Sequence, residues 1–292
     1  MPCQGRRRRD SDSKRISLLP TETLRELLLS HEVDYTCLQS ECRMVWNAMI
    51  LAAQGEYWDD HFRKTGAYVF YDDAEYRTIV ELLGGEALRG QRVLEIGCGA
   101  GIWTANLARL GARVVHFDLT TSLVRMAAGA ASPGATAGLL ADMHCLPFAD
   151  GTFDAAFGSM VVHHSPDHAA LGREVARVLL PGGRAVFHEN SAANPILMLA
   201  RATMVGRMGI PKYSAPGEHP LQACEIEAFG AAFRSYRVVY GRLVLAQLGV
   251  KYLLRREAGP IFAAAKGFDN WLYRLWPACR RLSYYQILTC QN

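Results

Sequence analysis

No stretch of this chain is apolar for the roughly 20 residues that a membrane-spanning helix needs. The longest candidate, "LVLAQLGVKYLL" (243–254), is interrupted by Gln247 and Lys251, so no stable membrane insertion is expected. The early segment "DSDSKRISLLP" (10–20) lacks the continuous apolar core of a secretory signal. Cys-x-x-Cys pairs are missing as well: the cysteines stand scattered at 3, 37, 42, 98, 145, 224, 279 and 290. That spacing excludes a structural zinc site and points to a reducing, cytoplasmic setting. Charge of one sign is also scarce. The net charge is +4, and Arg6, Arg7, Arg8 and Arg9 supply that many positives by themselves. The remainder is near neutral and offers no broad basic face for nucleic acid.

What is present is ordinary globular composition, 50% apolar and 21% charged. From residue 91 short apolar runs alternate with helical patterns. "RVLEI" (92–96), "RVVHFD" (113–118), "GLLAD" (138–142), "FDAAFGS" (153–159) and "RAVFHE" (184–189) read as strands. "IWTANLARL" (102–110), a segment from Thr120 or Thr121 to Ala131, and "HAALGREVARVLL" (168–180) read as the helices between them. Strands joined by helices of this length imply parallel crossovers and a doubly wound α/β sheet. "CEIEAFGAAF" (224–233) adds a helix, "YRVVYGRLVL" (236–245) a sixth strand and "YYQILTCQ" (284–291) a terminal one. The expected organisation is a basic tail (1–15), a helical cap (16–87), a core (88–190), and a final part (191–292) holding further helices and the last two strands. An aromatic helical insertion with Phe262, Phe268, Trp271, Tyr273 and Trp276 precedes the final strand.

The turn "VLEIGCGAGIW" (93–103) closes the first strand, where an open parallel sheet binds its ligands. A dinucleotide fingerprint requires glycines at the first, third and sixth places. Here Gly97, Gly99 and Gly101 occupy the first, third and fifth, and Ile102 stands at the sixth. No Lys-Ser or Lys-Thr follows, which removes the phosphate-binding P-loop as well.

The Glu-x-Gly-x-Gly-x-Gly spacing resembles the first motif of class I S-adenosylmethionine (SAM)-dependent methyltransferases, and the likeness continues in register over 88–190. "VVHFD" places Asp118 where that family accepts hydrogen bonds from the ribose hydroxyls. "LLADMHCLPF" offers Asp142 for the adenine amino group, with Met143 beside the ring. "FADGTFDAAFGSMVVHH" and "REVARVLLPGG" match the later blocks. The branch most similar is the small-molecule one, which includes quinone-biosynthesis and natural-product enzymes. The resemblance implies a seven-stranded, mostly parallel Rossmann-like sheet with a reversed last strand, and SAM as cofactor. The implied cofactor set is Glu95, Gly97, Cys98, Gly99, Gly101, Asp118, Leu119, Asp142, Met143 and Ser159. Glu95 would orient the turn or accept from the methionine amino group, and Cys98 is a packing residue rather than a nucleophile.

The acceptor side is read from "SMVVHHSPDH" (159–168), the loop that faces the methyl group in this fold. His163 and His164 are the candidates for a general base or substrate contact. His188, Glu189 and Asn190 at the end of the fifth strand are second candidates for lining the acceptor pocket. The spacing of His163, His164, Asp167 and His168 matches no standard metal site, so no metal is expected. An Asn- or Asp-Pro-Pro-aromatic stretch and a Pro-Cys nucleophile are both absent after the fourth strand, which disfavours a nucleic-acid acceptor. A small apolar or aromatic acceptor fits better, enclosed by a lid that includes Tyr57, Trp58, Tyr68 and Tyr71, with O-methylation ahead of C- or N-methylation. Two alternatives stay open: an enzyme that uses bound SAM for cyclisation or rearrangement without methyl transfer, and a non-catalytic SAM-binding partner. The inserted "GFDNWLYRLWPACRRLSYY" (267–285) suits a lid, a homodimer contact or a membrane-surface contact alike.

Overall fold

The computed structural model describes residues 55, 57, 58, 60–62, 64, 72–132, 134–207, 210, 214 and 218–292. A seven-stranded sheet runs in the order β3-β2-β1-β4-β5-β7-β6. Its strands are β1 Arg92–Ile96, β2 Arg113–Asp118, β3 Thr136–Leu140, β4 Phe153–Ser159, β5 Leu179–Asn190, β6 Ser235–Tyr240 and β7 Tyr285–Gln291. The pairs β1–β2, β1–β4, β2–β3 and β4–β5 are parallel, and β7 is antiparallel to both β5 and β6. The reversed last strand is therefore present.

Alternation along each strand sorts the core into two layers. Leu94, Ile96, Val115, Phe117, Ala156, Phe187 and Leu288 belong to one cluster; Val93, Val114, Ala155, Phe157, Val186 and Ile287 belong to the other. The first face is covered by helices His168–Val178 and Ala223–Gly230, which supply Leu171, Val175, Ile226 and Phe229. The second is covered by helices Asp73–Leu83 and Ile102–Arg109, which supply Ile79, Leu83, Trp103 and Leu107. The connection after β1 thus leaves on one face and the connection after β4 on the other. Between these two strands, at their carboxyl ends, lies the crevice where such sheets hold ligands.

Three boundaries differ from the sequence reading, each for a tertiary reason. β3 ends at Leu140 rather than 142, because Asp142 turns away to bridge Cys145. The helix expected to reach 180 stops at Val178: Leu179 pairs with Phe153, and Pro181-Gly182-Gly183 lie within β5. The amide of Gly182 donates to Asn292 O at 2.9 Å, and the amide of Asn292 donates to Gly183 O at 2.9 Å. The sixth strand stops at Tyr240 rather than 245, and a new helix, Leu245–Leu253, begins almost at once. Asp269 causes that change: its buried carboxylate accepts from the amides of Ala246 and Gln247 at 3.0 Å each, a long-range cap for the helix N-terminus. The aromatic insertion is helical as expected, over Pro260–Leu275. Of the expected cap, the described residues of 55–64 are helical and Asp73–Leu83 is a helix; Tyr68 and Tyr71 lie outside the described residues.

Candidate active site

Gly97, Gly99 and Gly101 all take positive φ, at 67°, 49° and 83°. Two of them have a steric reason as well. A Cβ on Gly97 would meet Val161 Cγ2 at 2.6 Å, and one on Gly101 would meet the Ala127 Cα at 2.4 Å. The turn is therefore shaped to let the loop after β4 and the helix Thr121–Ala130 approach it. Asp118, at the end of β2, stitches this turn to the next: it accepts from the Gly99 amide at 2.9 Å and from the Leu119 amide at 2.8 Å. Burial raises its pKa despite those bonds. Beneath the turn, Glu95 is almost fully buried and accepts from the Thr104 hydroxyl at 2.6 Å. Burial pushes its carboxyl up to about 8. Cys98 is buried too, and burial raises its thiol far above the usual range, so it packs rather than reacts.

These residues line a cavity with ≈ 1210 Å³ of open space, mouth included. Glu95, Gly97, Cys98, Gly99, Asp118, Leu119, Asp142, Met143 and Ser159 all border it; Gly101 does not, and serves the packing just described. Trp103, Phe117, Ile102 and Phe62 supply apolar wall. Three acidic side chains, of which Glu95 is held mainly neutral by burial, and no lysine or arginine stand among the described lining residues. Such a lining rejects a diphosphate and accepts hydroxyls, amino groups and a positive ligand. Asp142 is held by its neighbours. Oδ1 accepts from the His144 amide at 2.9 Å and pairs with His144 Nδ1 at 2.8 Å, while His144 Nε2 meets Ser165 Oγ at 2.8 Å. Burial would raise its pKa, but the two bonds from His144 outweigh it and keep the carboxylate low. Both bonds fall on one oxygen, which leaves Oδ2 for a ligand. Arg177 anchors the same loop from behind, donating to Phe148 O at 2.7 Å, to Leu146 O at 3.1 Å and to Glu174 Oε1 at 2.7 Å. Cys145, in this loop, is disulfide-bonded, so the expectation of reduced cysteines fails at that position.

A second cavity, with ≈ 1640 Å³ of open space, adjoins the first. Trp58, Met160 and His164 border both. The wall between them is thus one loop after β4 plus one indole. Met160 takes the left-handed φ of 56°, unusual for a side chain with a Cβ, and its amide donates to His188 O at 2.8 Å. The chain then forms a short 3-10 turn, Val162–His164. His163 Nδ1 donates to Glu189 Oε2 at 2.6 Å, while Glu189 Oε1 accepts from the amides of Val161 and Val162 at 2.8 and 2.7 Å. Burial favours neutral His163, but the Glu189 carboxylate outweighs it and raises the imidazole pKa; burial likewise opposes the Glu189 charge, and His163 with the two amides holds that carboxyl low. His164 lies 4.1 Å from His163 between ring centroids, with its Nδ1 3.0 Å from Glu218 Oε1. Ligand-type atoms of His163, His164 and Glu218 fall within 4.8 Å of one another. The His163 Nδ1 contact is a hydrogen bond, whereas His164 Nδ1 and Glu218 Oε1 approach each other without hydrogen-bond alignment. The rest of the second cavity is mostly aliphatic, from Ile196, Leu197, Met204, Leu245, Leu248 and Leu253.

Asn190 borders this cavity, but His188 borders neither. β5 continues two residues past His188 and carries Asn190 to the mouth. His188 stays fully buried inside the sheet against Tyr285, and burial lowers its pKa to about 4. Tyr57 packs on Trp58 and His61 rather than on either cavity. Asp167 caps the helix that His168 begins, accepting from the Ala170 amide at 2.8 Å. Met160, Glu218 and Arg201 also line the sites and were not singled out from sequence. Glu218 stands in a segment with no motif, and Arg201 on an ordinary amphipathic helix. Met160 sat inside a quoted block, but its backbone carries no signal in the residue name.

Comparison with known proteins decides what the first cavity and its frame belong to. Residues 94–187 match the family described as a methyltransferase domain. This part of the chain is similar to methyltransferase domains. It is 37% identical over 103 residues to the ubiquinone biosynthesis O-methyltransferase of Xanthomonas oryzae pv. oryzae (strain PXO99A), covering 33% of this chain and 42% of that protein. It is 40% identical over 102 residues to the demethylmenaquinone methyltransferase of Corynebacterium kroppenstedtii, covering 35% of this chain and 43% of that protein. The chain therefore matches less than half the length of these relatives. Among solved structures, magnesium protoporphyrin IX methyltransferase from Synechocystis PCC 6803, with bound SAH, aligns with a TM-score of 0.52 at 15% identity, covering 84% of this chain and 98% of that one. The Haemonchus contortus phosphoethanolamine N-methyltransferase 2 aligns with a TM-score of 0.53 at 14% identity, covering 83% and 59%. At such identities these likenesses concern the fold alone.

Proposed function

We propose that the chain is a SAM-dependent methyltransferase that methylates a hydroxyl oxygen of a large, mostly apolar small molecule. The observation that carries this reading is the meeting of two cavities at Trp58, Met160 and His164, one carboxylate-lined and one aliphatic. The first fits SAM: Asp118 would accept from the ribose hydroxyls, Asp142 Oδ2 from the adenine amino group, and Leu119 and Met143 would flank the ring. Glu95 would support the turn beneath the methionine end. SAM, when bound, supplies a methyl group on a positive sulfur.

The protein's part is alignment, exclusion of water and removal of one proton. The Glu189 carboxylate fixes His163 with Nδ1 protonated, so Nε2 is the nitrogen that takes the acceptor's hydroxyl proton. A raised imidazole pKa makes a stronger base. Glu189 in turn is fixed by two backbone amides, so the base is held against rotation. The aliphatic wall would hold the acceptor's body while its hydroxyl reaches the shared loop. The matched relatives' names include an O-methyltransferase of ubiquinone biosynthesis, which supports oxygen as the target. A cytoplasmic setting is supported by the free cysteines 98, 224, 279 and 290 and opposed by the Cys145 disulfide.

The test is transfer of labelled methyl from SAM by the purified full chain to a phenol bearing a long alkyl chain. Label recovered as an aryl methyl ether, unaffected by a metal chelator, is the expected result. A converted acceptor without label would favour a rearrangement instead, and failure of calorimetry to detect SAM or its demethylated product would overturn the reading of the first cavity.

A further inference from the structure

The C-terminal insertion is helical but turns much of its apolar surface outward. On the helix Pro260–Leu275 the exposed residues Ile261, Phe268, Trp271 and Leu275 recur at spacings of seven, three and four, which makes one stripe. Phe268 and Trp271 stack at 5.8 Å. Trp276 follows at 61% exposure, and the preceding helix ends on Leu253 and Leu254, at 62% and 57%. The neighbouring helix Pro195–Thr203 has no buried residue and shows Ile196 and Leu199 at 59% and 65%. The helices Leu245–Leu253 and Pro260–Leu275 pack on each other, and Pro195–Thr203 shares the lining of the second cavity with the first of them, so this part of the molecule exposes apolar side chains that ordinary folding does not leave unless something covers them.

Charge identifies the cover. Residues 251–281 contain seven basic side chains and two acidic ones. One of the acids, Asp269, is buried as a helix cap. The other, Glu257, pairs with Lys251 at 3.3 Å, the one ion pair of this segment among the described residues. Arg255 and Arg256 directly follow Leu253 and Leu254, and Lys266, Arg274 and Arg281 are exposed. The segment's net charge of +5 exceeds the chain's whole net charge of +4. Aromatic and leucine side chains projecting beside unpaired guanidinium groups match the boundary of an anionic bilayer, where rings sit at the headgroups and basic residues meet lipid phosphates. A nucleic acid would find the charge but not a use for Leu253, Leu254 and Leu275. A second copy of the chain would bring the same positive charge against itself.

We infer that this face, built from the helices Pro195–Thr203, Leu245–Leu253 and Pro260–Leu275, docks on an anionic lipid surface. No helix among the described residues is long and apolar enough to cross a membrane, so the contact is interfacial. Ile196 and Leu253 are exposed and also line the second cavity. The docking face therefore reaches the lining of that cavity. An apolar acceptor dissolved in lipid could enter there, a consequence that rests on the function proposed above, whereas the docking itself does not.

The experiment is flotation of the full chain with vesicles of phosphatidylcholine alone and of phosphatidylcholine with 30% phosphatidylglycerol. Binding to the second kind, reduced at least tenfold in 0.5 M salt, is expected. Trp271→Ser/Trp276→Ser and Arg255→Glu/Arg256→Glu should each lower partitioning at least tenfold, with the thermal midpoint unchanged. Replacing Arg6, Arg7, Arg8 and Arg9 by Gln should leave most binding in place. The inference is overturned if neither vesicle retains the protein, or if the tail replacement alone abolishes binding. Sedimentation showing a lipid-free dimer that Trp271→Ser dissociates would overturn it in favour of a second copy. Because vesicle binding is read without SAM or acceptor, its failure is separable from failure of the methyl-transfer reading.

Discussion

At the scale of single residues, the site depends on carboxylates whose surroundings set them apart. Asp118→Ala should weaken binding of SAM by about 1.5–3 kcal/mol, the loss of hydrogen bonds to a charged acceptor, measurable by calorimetry; an unchanged affinity would remove Asp118 from the ribose. Glu95 behaves differently, because its folded pKa of about 8 lies above the unfolded carboxyl value. Its neutral form is favoured by folding, so its contribution is complete at pH below about 4 and is lost as pH rises through about 8. Glu95→Gln should accordingly flatten the decline in thermal midpoint between pH 5 and pH 9 in the ligand-free protein. His163 carries a raised pKa, so the acid limb of the rate profile should fall above the ordinary imidazole value, with activity gained as pH rises through it. His163→Gln should lower turnover by 10²–10⁴, the usual yield of a positioned base, while SAM still binds. A rate near that of the unaltered enzyme would leave alignment alone as the mechanism. That the two histidines and Glu95 border the cavities was legible in the sequence because a motif fixed their place. Glu218 was not, since its 3.0 Å approach to His164 spans 54 residues of chain with no local sign of it.

At the scale of elements, the strands of the parallel half were legible from apolar runs bounded by Gly and Pro, while the division of their side chains between two layers is seen only in the structure. Ends set by distant partners were not legible. The stretch 236–245 reads as one apolar strand, yet Asp269 draws its last residue into a helix. Local propensity had no access to that carboxylate. Arg177 shows the same logic in the loop that carries Asp142. Its pair with the exposed Asp150 contributes little, but its bonds to Glu174 and to two backbone carbonyls hold the loop on helix His168–Val178. Arg177→Ala should cost about 1–3 kcal/mol and speed hydrogen exchange at the Leu146 amide, which donates to Glu174 Oε1 at 2.7 Å. An unchanged exchange rate there would show that Glu174 holds the loop without Arg177.

Across the whole molecule, the parts with a motif and the parts without one divide the labour. Most of the first cavity's lining lies in the segment that resembles other proteins, and the second cavity, apart from the His163–His164 loop, is lined largely by helices and loops that carry no recognisable spacing. The acceptor class could be read from sequence only as a preference for apolar or aromatic molecules, because aliphatic side chains at 196, 245, 248 and 253 meet only after folding. Saturation with the demethylated cofactor at a hundred times its dissociation constant should stabilise the fold by about 2.7 kcal/mol, visible as a higher thermal midpoint. The thinness of the partition at Met160 and His164 has a further chemical consequence. A single compound carrying an adenosyl group at one end and a lipophilic phenol at the other, joined by a linker as short as the reacting bond, could lie in both chambers at once. Its two ends would hold each other at high effective concentration, so it should bind far more tightly than either fragment, and lengthening the linker should erode that advantage.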